Sequence, residues 1–228
     1  FLLLALHLYV GDMEWTVAKH ITKPLLVASL IAYFALVVKN YRYSPFALWI
    51  LVALVFSLGG DIALMYTDHN KNFFTLGLGS FLFAQVFYCA AFVKSYLVNH
   101  EIRLLQKRGW VLILIAAYGF FFFRAIKDYL GDLVGPVLIY TFVLMLMLLL
   151  AYNRYQKVSN KSFLYIALGA TLFVASDSIL AWNHFVDPVV HSHILIMLTY
   201  GLAQYCITFG ALCYVRDAYA NNPDRYTF

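Results

Sequence analysis

The chain has 228 residues, of which 64% are hydrophobic and only 12% are charged. A soluble domain carries about 25% charged residues, so this composition excludes a soluble enzyme or binding domain. The formal net charge of +5 reflects the charges of the connecting loops and does not indicate a nucleic-acid partner. We therefore interpret residues 1–228 as a single integral membrane domain.

The apolar runs predict the helices. Crossing the roughly 30 Å hydrocarbon core takes about 20 residues of helix. Residues 1–10 are apolar but too short, and we interpret them as the end of a helix whose beginning is missing here; a signal peptide is the alternative. The predicted fold is an all-α, eight-helix transmembrane bundle with a truncated first helix. The other seven predicted helices follow the runs 24–38, 45–66, 73–98, 109–126, 133–152, 162–185 and 190–215.

Basic residues predict the orientation of this bundle. Most of the 16 Lys and Arg residues lie in the even-numbered connections and the C-terminal tail. The positive-inside rule then predicts that both termini are cytoplasmic. The tail carries no retrieval or lipidation signal, so a bacterial inner membrane and an endoplasmic reticulum membrane are both compatible with the sequence.

Two aspartates interrupt apolar runs at matching depths. Asp61 lies in the run 45–66, and Asp177 lies in the run 162–185. An ionisable side chain in hydrocarbon costs roughly 2.5–3.5 kcal/mol, so such residues face a protein interior or a wet cavity. We expect a single buried site with a pair of carboxyl groups. The alternative is that each aspartate only bonds a neighbouring helix.

The surroundings of the two aspartates indicate an internal repeat. Residues 57–66 and 173–182 both read as small residues, Asp and then an apolar turn. The next helix carries Gln85 in one case and Gln204 in the other, each near mid-membrane. This pattern predicts a four-plus-four repeat, and transporters also place their sites at repeat interfaces.

An ordered set of motifs resembles a known family. Residues 60–65, 87–92, 173–177, 183–185 and 194–204 are similar to the YhhN-like transmembrane lysoplasmalogenase family, as is the Lys23-Pro24 pair that we place at a helix start. The resemblance implies an eight-helix hydrolase that cleaves the vinyl ether bond of lysoplasmalogens. Its products are a fatty aldehyde and glycerophosphocholine or glycerophosphoethanolamine. The family often has His at the position of Gln85 and Lys at that of His184, so no proton-transfer role is carried over to either.

The reaction itself suits a carboxyl pair. A vinyl ether hydrolyses by protonation of its β-carbon, which gives an oxocarbenium ion that water captures. A buried carboxyl beside a second one can remain protonated, and the other can balance the developing cation. We therefore predict Asp61 and Asp177 as catalytic residues, and the reaction requires no cofactor or metal.

The substrate also predicts a binding site. A lysophospholipid has one long chain and a phosphate head, so we expect an apolar tunnel with a polar mouth. Lys23 is expected near the head group, although it could simply reach the interface as a lipid-facing lysine does. The other predicted binding residues are Gln85, Tyr88, Asn183, Tyr200 and Gln204, with tunnel walls from the runs 45–66, 73–98, 162–185 and 190–215.

Two other classes of function remain open at this point. A transporter with an intramembrane Asp pair would explain the repeat, and a metal-dependent membrane lipid amidase or esterase would need a cluster of ligands. His191 and His193 point to different helix faces and have no third ligand nearby in the sequence. The expected partners are a lysophospholipid and membrane lipid, and the sequence indicates no protein partner.

Overall fold

A computed structural model describes Leu4 and residues 16–41, 44–67, 69–70, 72–96 and 109–221. Seven helices in this part of the chain have the length and apolar composition needed to cross a membrane. The prediction of an all-α polytopic bundle is therefore confirmed. The helix expected within residues 1–10 lies outside the described residues, except for Leu4, which packs beside Gly201. The helices are α1 (Thr16–Lys39), α2 (Pro45–Leu64), α3 (Asn72–Tyr96), α4 (Gly109–Ile126), α5 (Val134–Tyr152), α6 (Asn160–Phe185) and α7 (Ser192–Asn221).

Local chemistry explains where α2 begins. Ser44 caps α2 by accepting a hydrogen bond from the backbone N–H of Ala47, and Pro45 occupies the first helical position, where its missing N–H costs nothing. The predicted start at the Lys23-Pro24 pair is wrong, since α1 begins at Thr16 and Pro24 lies inside it. Membrane helices tolerate an internal proline because neighbouring groups compensate for the lost backbone bond.

The bundle is built around two closely packed hairpins. One consists of α2 and α3, and the other of α6 and α7. Glycines allow the close approach: a Cβ at Gly60 would lie 2.6 Å from the ring of Phe81, and one at Gly169 would lie 2.8 Å from the carbonyl oxygen of Ala203. Each hairpin carries one Asp and one Gln of the sequence repeat.

Helix α4 differs from the others because it lies at the periphery. Much of its surface is exposed, including Ile113, Phe120 and Phe121. It packs mainly against α5, which in turn contacts α3 and α6. In a membrane, this helix therefore faces lipid over most of its circumference.

One cation lies deep in the core. Arg154 follows the end of α5, and its side chain is fully buried. Its guanidinium donates to Ser95 Oγ and Ser162 Oγ, both at 2.9 Å. Burial lowers the pKa of Arg154 to about 9, so the group is still charged at neutral pH. The guanidinium carbon also lies 5.6–5.8 Å from the ring centroids of Phe46, Phe92 and Tyr214.

Candidate active site

Asp61 is held by an uncharged donor and a cation. It lies three residues before the end of α2 and is almost fully buried. Its Oδ2 accepts a hydrogen bond of 2.7 Å from the hydroxyl of Tyr200, on α7. Its Oδ1 lies 3.8 Å from the ammonium nitrogen of Lys23, on α1, which is itself mostly buried. The pairing favours the ionised carboxylate, because a positive charge stands beside it.

A chain of hydrogen bonds continues from Asp61 into the core. The amide nitrogen of Gln204 donates to the Tyr200 oxygen at 3.2 Å, and Tyr88 donates to the Gln204 oxygen at 2.7 Å. All of these side chains are buried. We call Lys23, Asp61, Tyr200, Gln204 and Tyr88 the Asp61 network. It fixes the Asp61 carboxylate from α1, α3 and α7.

Asp177 has a different set of partners. Its Oδ2 accepts hydrogen bonds from the Tyr140 hydroxyl at 2.5 Å and from the Gln85 amide nitrogen at 3.3 Å. Within the described residues, Asp177 forms no ion pair. The amide oxygen of Gln85 is buried and has no hydrogen-bond partner among them. We call Tyr140, Asp177 and Gln85 the Asp177 network; it leaves Asp177 Oδ1 available for a proton.

Each aspartate network includes the glutamine of the other hairpin: Gln85 belongs to the Asp177 network, and Gln204 belongs to the Asp61 network. Gln85 lies in the same hairpin as Asp61, but it bonds Asp177. Gln204 lies in the same hairpin as Asp177, but it reaches Asp61 through Tyr200. Packing therefore brings the two hairpins together, with each aspartate bonded by a residue of the opposite hairpin.

Asp177 borders an apolar cavity. This inner cavity, of about 50 Å³, lies between α2, α3, α4, α5 and α6. Tyr140 and Asp177 contribute to its wall, and the rest is nearly all apolar, with side chains such as Leu78, Phe122 and Leu144. A reacting group in this cavity would meet Asp177 with little competing water.

A polar cavity adjoins the inner one. It has about 280 Å³ and is lined by Lys23, Asn183 and His184, with further polar side chains from α7. The two cavities share three wall residues: Leu64, Phe74 and Leu180. The site thus places an apolar compartment holding a carboxyl group beside a polar compartment holding a cation.

The structure brings some predicted residues together and separates others. Asn183 lines the polar cavity, and its side-chain oxygen accepts the backbone N–H of Val189, which holds the connection before α7. Tyr88, Tyr200 and Gln204 lie behind the cavities rather than on their walls. Asp61 also lines neither of these two cavities, so the two carboxyls do not share the inner cavity or the polar cavity.

The walls differ from the prediction as well. We expected α2, α3, α6 and α7, but α4 and α5 contribute a large part of the inner cavity. Tyr140 of α5 is the important residue that the sequence does not single out. It is one of 18 tyrosines, and only the packing of α5 against α3 and α6 shows that its hydroxyl reaches Asp177.

Comparison with known proteins places this arrangement in a family. The sequence model of the YhhN family matches residues 18–211, which include both aspartates and all eight residues of the two networks. The chain belongs to the YhhN family. The resemblance read from the sequence motifs is therefore confirmed. No solved structure matches the chain.

Three curated relatives, from human, pig and cattle, are named lysoplasmalogenase. Human lysoplasmalogenase TMEM86B is 33% identical over 160 residues, which cover 70% of this chain and 62% of the human protein. Pig lysoplasmalogenase TMEM86B is 28% identical over 203 residues, covering 89% and 79% of the two chains. Bovine lysoplasmalogenase TMEM86A is 30% identical over 174 residues, covering 74% and 67%. The chain thus spans less than two thirds of the human relative.

Proposed function

We propose that this protein is a lysoplasmalogenase that hydrolyses the vinyl ether bond of lysoplasmalogens. The observation that carries the proposal is the position of Asp177 on the wall of an apolar cavity, next to a polar cavity that holds Lys23. The relatives named lysoplasmalogenase support the same activity. The products would be a fatty aldehyde and a glycerophospho head group.

Asp177 is the proposed proton donor. Its partners Tyr140 and Gln85 bring no positive charge, and its cavity is apolar, so the neutral acid is the cheaper form to bury. The proton would pass from Asp177 to the β-carbon of the vinyl ether and give an oxocarbenium ion. Water would add to the cationic carbon and return its surplus proton to the Asp177 carboxylate. The resulting hemiacetal would break its C–O bond to the glycerol as the proton of its own hydroxyl passes to the glycerol oxygen, releasing the aldehyde and a free glycerol hydroxyl.

Asp61 is the proposed source of negative charge. It lies behind the cavity wall, where a carboxylate can stabilise a developing cation through the low-dielectric interior without touching it. The Asp61 network fixes its position. Because Lys23 contacts Asp61 and also lines the polar cavity, it links this charge to the place where a phosphate would bind.

The polar cavity is the proposed site of the head group. Lys23 would supply a cation for the phosphate, and Asn183 would hold the connection that closes this end of the cavity. The loop charges support cytoplasmic termini, in a bacterial inner membrane or an endoplasmic reticulum membrane. The polar cavity would then open towards the opposite side.

The proposal is tested by incubating the purified protein with a lysoplasmalogen and measuring aldehyde release. The control substrate is the saturated 1-O-alkyl lysophospholipid, which has the same head and chain but no double bond to protonate. We expect aldehyde from the vinyl ether alone. Absence of aldehyde from a folded, monodisperse preparation would refute the assigned activity.

A further inference from the structure

A third cavity opens on the outside of the bundle. It lies between α4 and α5, has about 310 Å³ and is lined almost entirely by apolar side chains. Phe120 and Phe142 stand at its edge and are 65% and 68% exposed, so the cavity faces the membrane. We call it the outer groove; its other lining residues include Ala116, Leu138 and Leu146.

The outer groove adjoins the inner cavity through one small contact. Gly119, Thr141 and Met145 line both spaces. A Cβ at Gly119 would lie only 2.6 Å from Met145 Cγ, so the Met145 side chain lies directly against the glycine backbone. Methionine has three rotatable bonds and moves readily between rotamers. The partition between groove and inner cavity is therefore formed by Gly119, Thr141 and the adaptable side chain of Met145.

The three spaces follow the order of the parts of an amphiphile. The polar cavity holds Lys23, the inner cavity holds Asp177, and the outer groove is apolar and open to lipid. In a vinyl ether lipid, the reactive bond lies between the polar head and the aliphatic chain. The inner cavity, at about 50 Å³, has room for only a few water molecules, since each needs roughly 10–15 Å³ of such space. A long chain must therefore continue into another space.

We propose that the outer groove binds the distal part of the substrate's aliphatic chain, which enters sideways from the membrane when Met145 moves away from Gly119. This inference rests on the proposed function for the identity of the lipid. It assigns α4 and α5 the role of a lateral portal. The polar end then reaches Lys23, and the first carbons of the chain lie beside Asp177.

The first test fills the groove without touching the inner cavity. Ala116 lines only the outer groove, and Leu114 is an exposed residue on another face of the same helix. We expect Ala116→Trp to lower kcat/KM for a hexadecenyl lysoplasmalogen by about tenfold or more, while an octenyl substrate is hydrolysed as by the wild type. The matched control, Leu114→Trp, should hydrolyse both chains normally. Equal losses on both chain lengths with Ala116→Trp would overturn the portal and leave the hydrolase intact.

A second test reads binding without turnover. The probe is a saturated 1-O-alkyl lysophosphatidylcholine with a diazirine at the end of its chain. We expect labelling of peptides from α4 and α5 that an excess of unlabelled probe suppresses and that Ala116→Trp removes. Labelling that excess lipid does not suppress would contradict the portal. If competed labelling is found but the wild type releases no aldehyde, the portal stands and the proposed activity fails.

Discussion

The bundle buries ionic groups in two regions that are built in opposite ways. Around Arg154, every polar partner is a fixed side chain or backbone atom, and three aromatic rings surround the guanidinium. Around Asp177, only Oδ2 is bonded, a neighbouring amide oxygen on Gln85 has no partner, and a cavity lies alongside. Both groups are costly to bury, but only one of them is left with unused bonding capacity.

The difference separates a structural charge from a reactive one. A buried polar network that is fully satisfied makes its region rigid, and it offers nothing to a ligand. A buried polar atom without a partner calls for an explanation, and a role in binding or catalysis is one of the few available. Arg154 therefore ties the ends of α3, α5 and α6 together, whereas Asp177 keeps an unbonded carboxyl oxygen beside a cavity, as its proposed role in proton transfer requires.

The largest expected effect is the loss of turnover on substitution of Asp177. Asp177→Asn retains the size of the side chain but removes its proton, so turnover should fall by about 10²–10⁴-fold. Thermal unfolding in detergent should change little, because the amide is uncharged and its oxygen can still accept the hydrogen bonds from Tyr140 and Gln85. Asp61→Asn should also lower turnover strongly, and the double variant should be little worse than the weaker single one if the pair acts as a unit. Near-normal aldehyde release by either folded single variant would refute the role of that residue.

Substitution of Arg154 should have the opposite effect and lower stability rather than turnover. Arg154→Ala removes a large buried side chain and leaves two serine hydroxyls without their donor, at a cost of about 3 kcal/mol in the free energy of unfolding. The fraction that remains folded should retain its specific activity. Arg154→Lys tests the geometry, because a single ammonium cannot bond both serines in the same way. A folded Arg154→Ala protein with lost turnover would remove the distinction drawn between the two regions.

The sequence predicts the helices well because membrane insertion is decided by local composition. Apolar runs of sufficient length identify all seven described helices, and an Asp inside such a run is conspicuous for the same reason. The exceptions are boundaries. Pro24 looks like a helix start, yet the helix extends to Thr16 because surrounding protein can tolerate one missing backbone bond.

The arrangement of the site is less predictable because it depends on how distant helices rotate against each other. The repeat associates Asp61 with Gln85 by sequence, but packing joins Gln85 to Asp177 instead. Tyr140 has no distinguishing neighbours in the sequence. Arg154 reads as an ordinary loop charge, and only the structure shows that its side chain contacts four other helices, α2, α3, α6 and α7.

Lys23 pairs with the buried Asp61 and also lines the polar cavity, so it combines features of the two regions compared above. Its substitution tests the proposed contact with the head group. Lys23→Ala should raise KM by about tenfold, since a hydrogen bond to a charged group contributes roughly 1.5–3 kcal/mol. Lys23→Arg should preserve most of the affinity because it keeps the charge. Lys39→Ala, at an exposed position near the other end of α1, is the matched control and should behave like the wild type. An unchanged KM in Lys23→Ala would remove the head-group role.

The smallest expected effect on turnover is that of Gln85→Leu. The same substitution at Gln204 gives a direct comparison of the two glutamines in stability. Gln85 donates one long bond to Asp177 and buries an unpaired oxygen, so Gln85→Leu should lower kcat by only about threefold to tenfold. It should leave the unfolding temperature unchanged or raise it, because an unsatisfied buried group is removed. Gln204 uses both ends of its amide, with Tyr88 and Tyr200, so Gln204→Leu should cost about 2 kcal/mol of stability.

Kinetic and thermal unfolding measurements on the Gln85→Leu and Gln204→Leu variants test this contrast. Equal losses of stability would mean that Gln85 is bonded as completely as Gln204, and that the region around Asp177 is no less rigid than the one around Arg154.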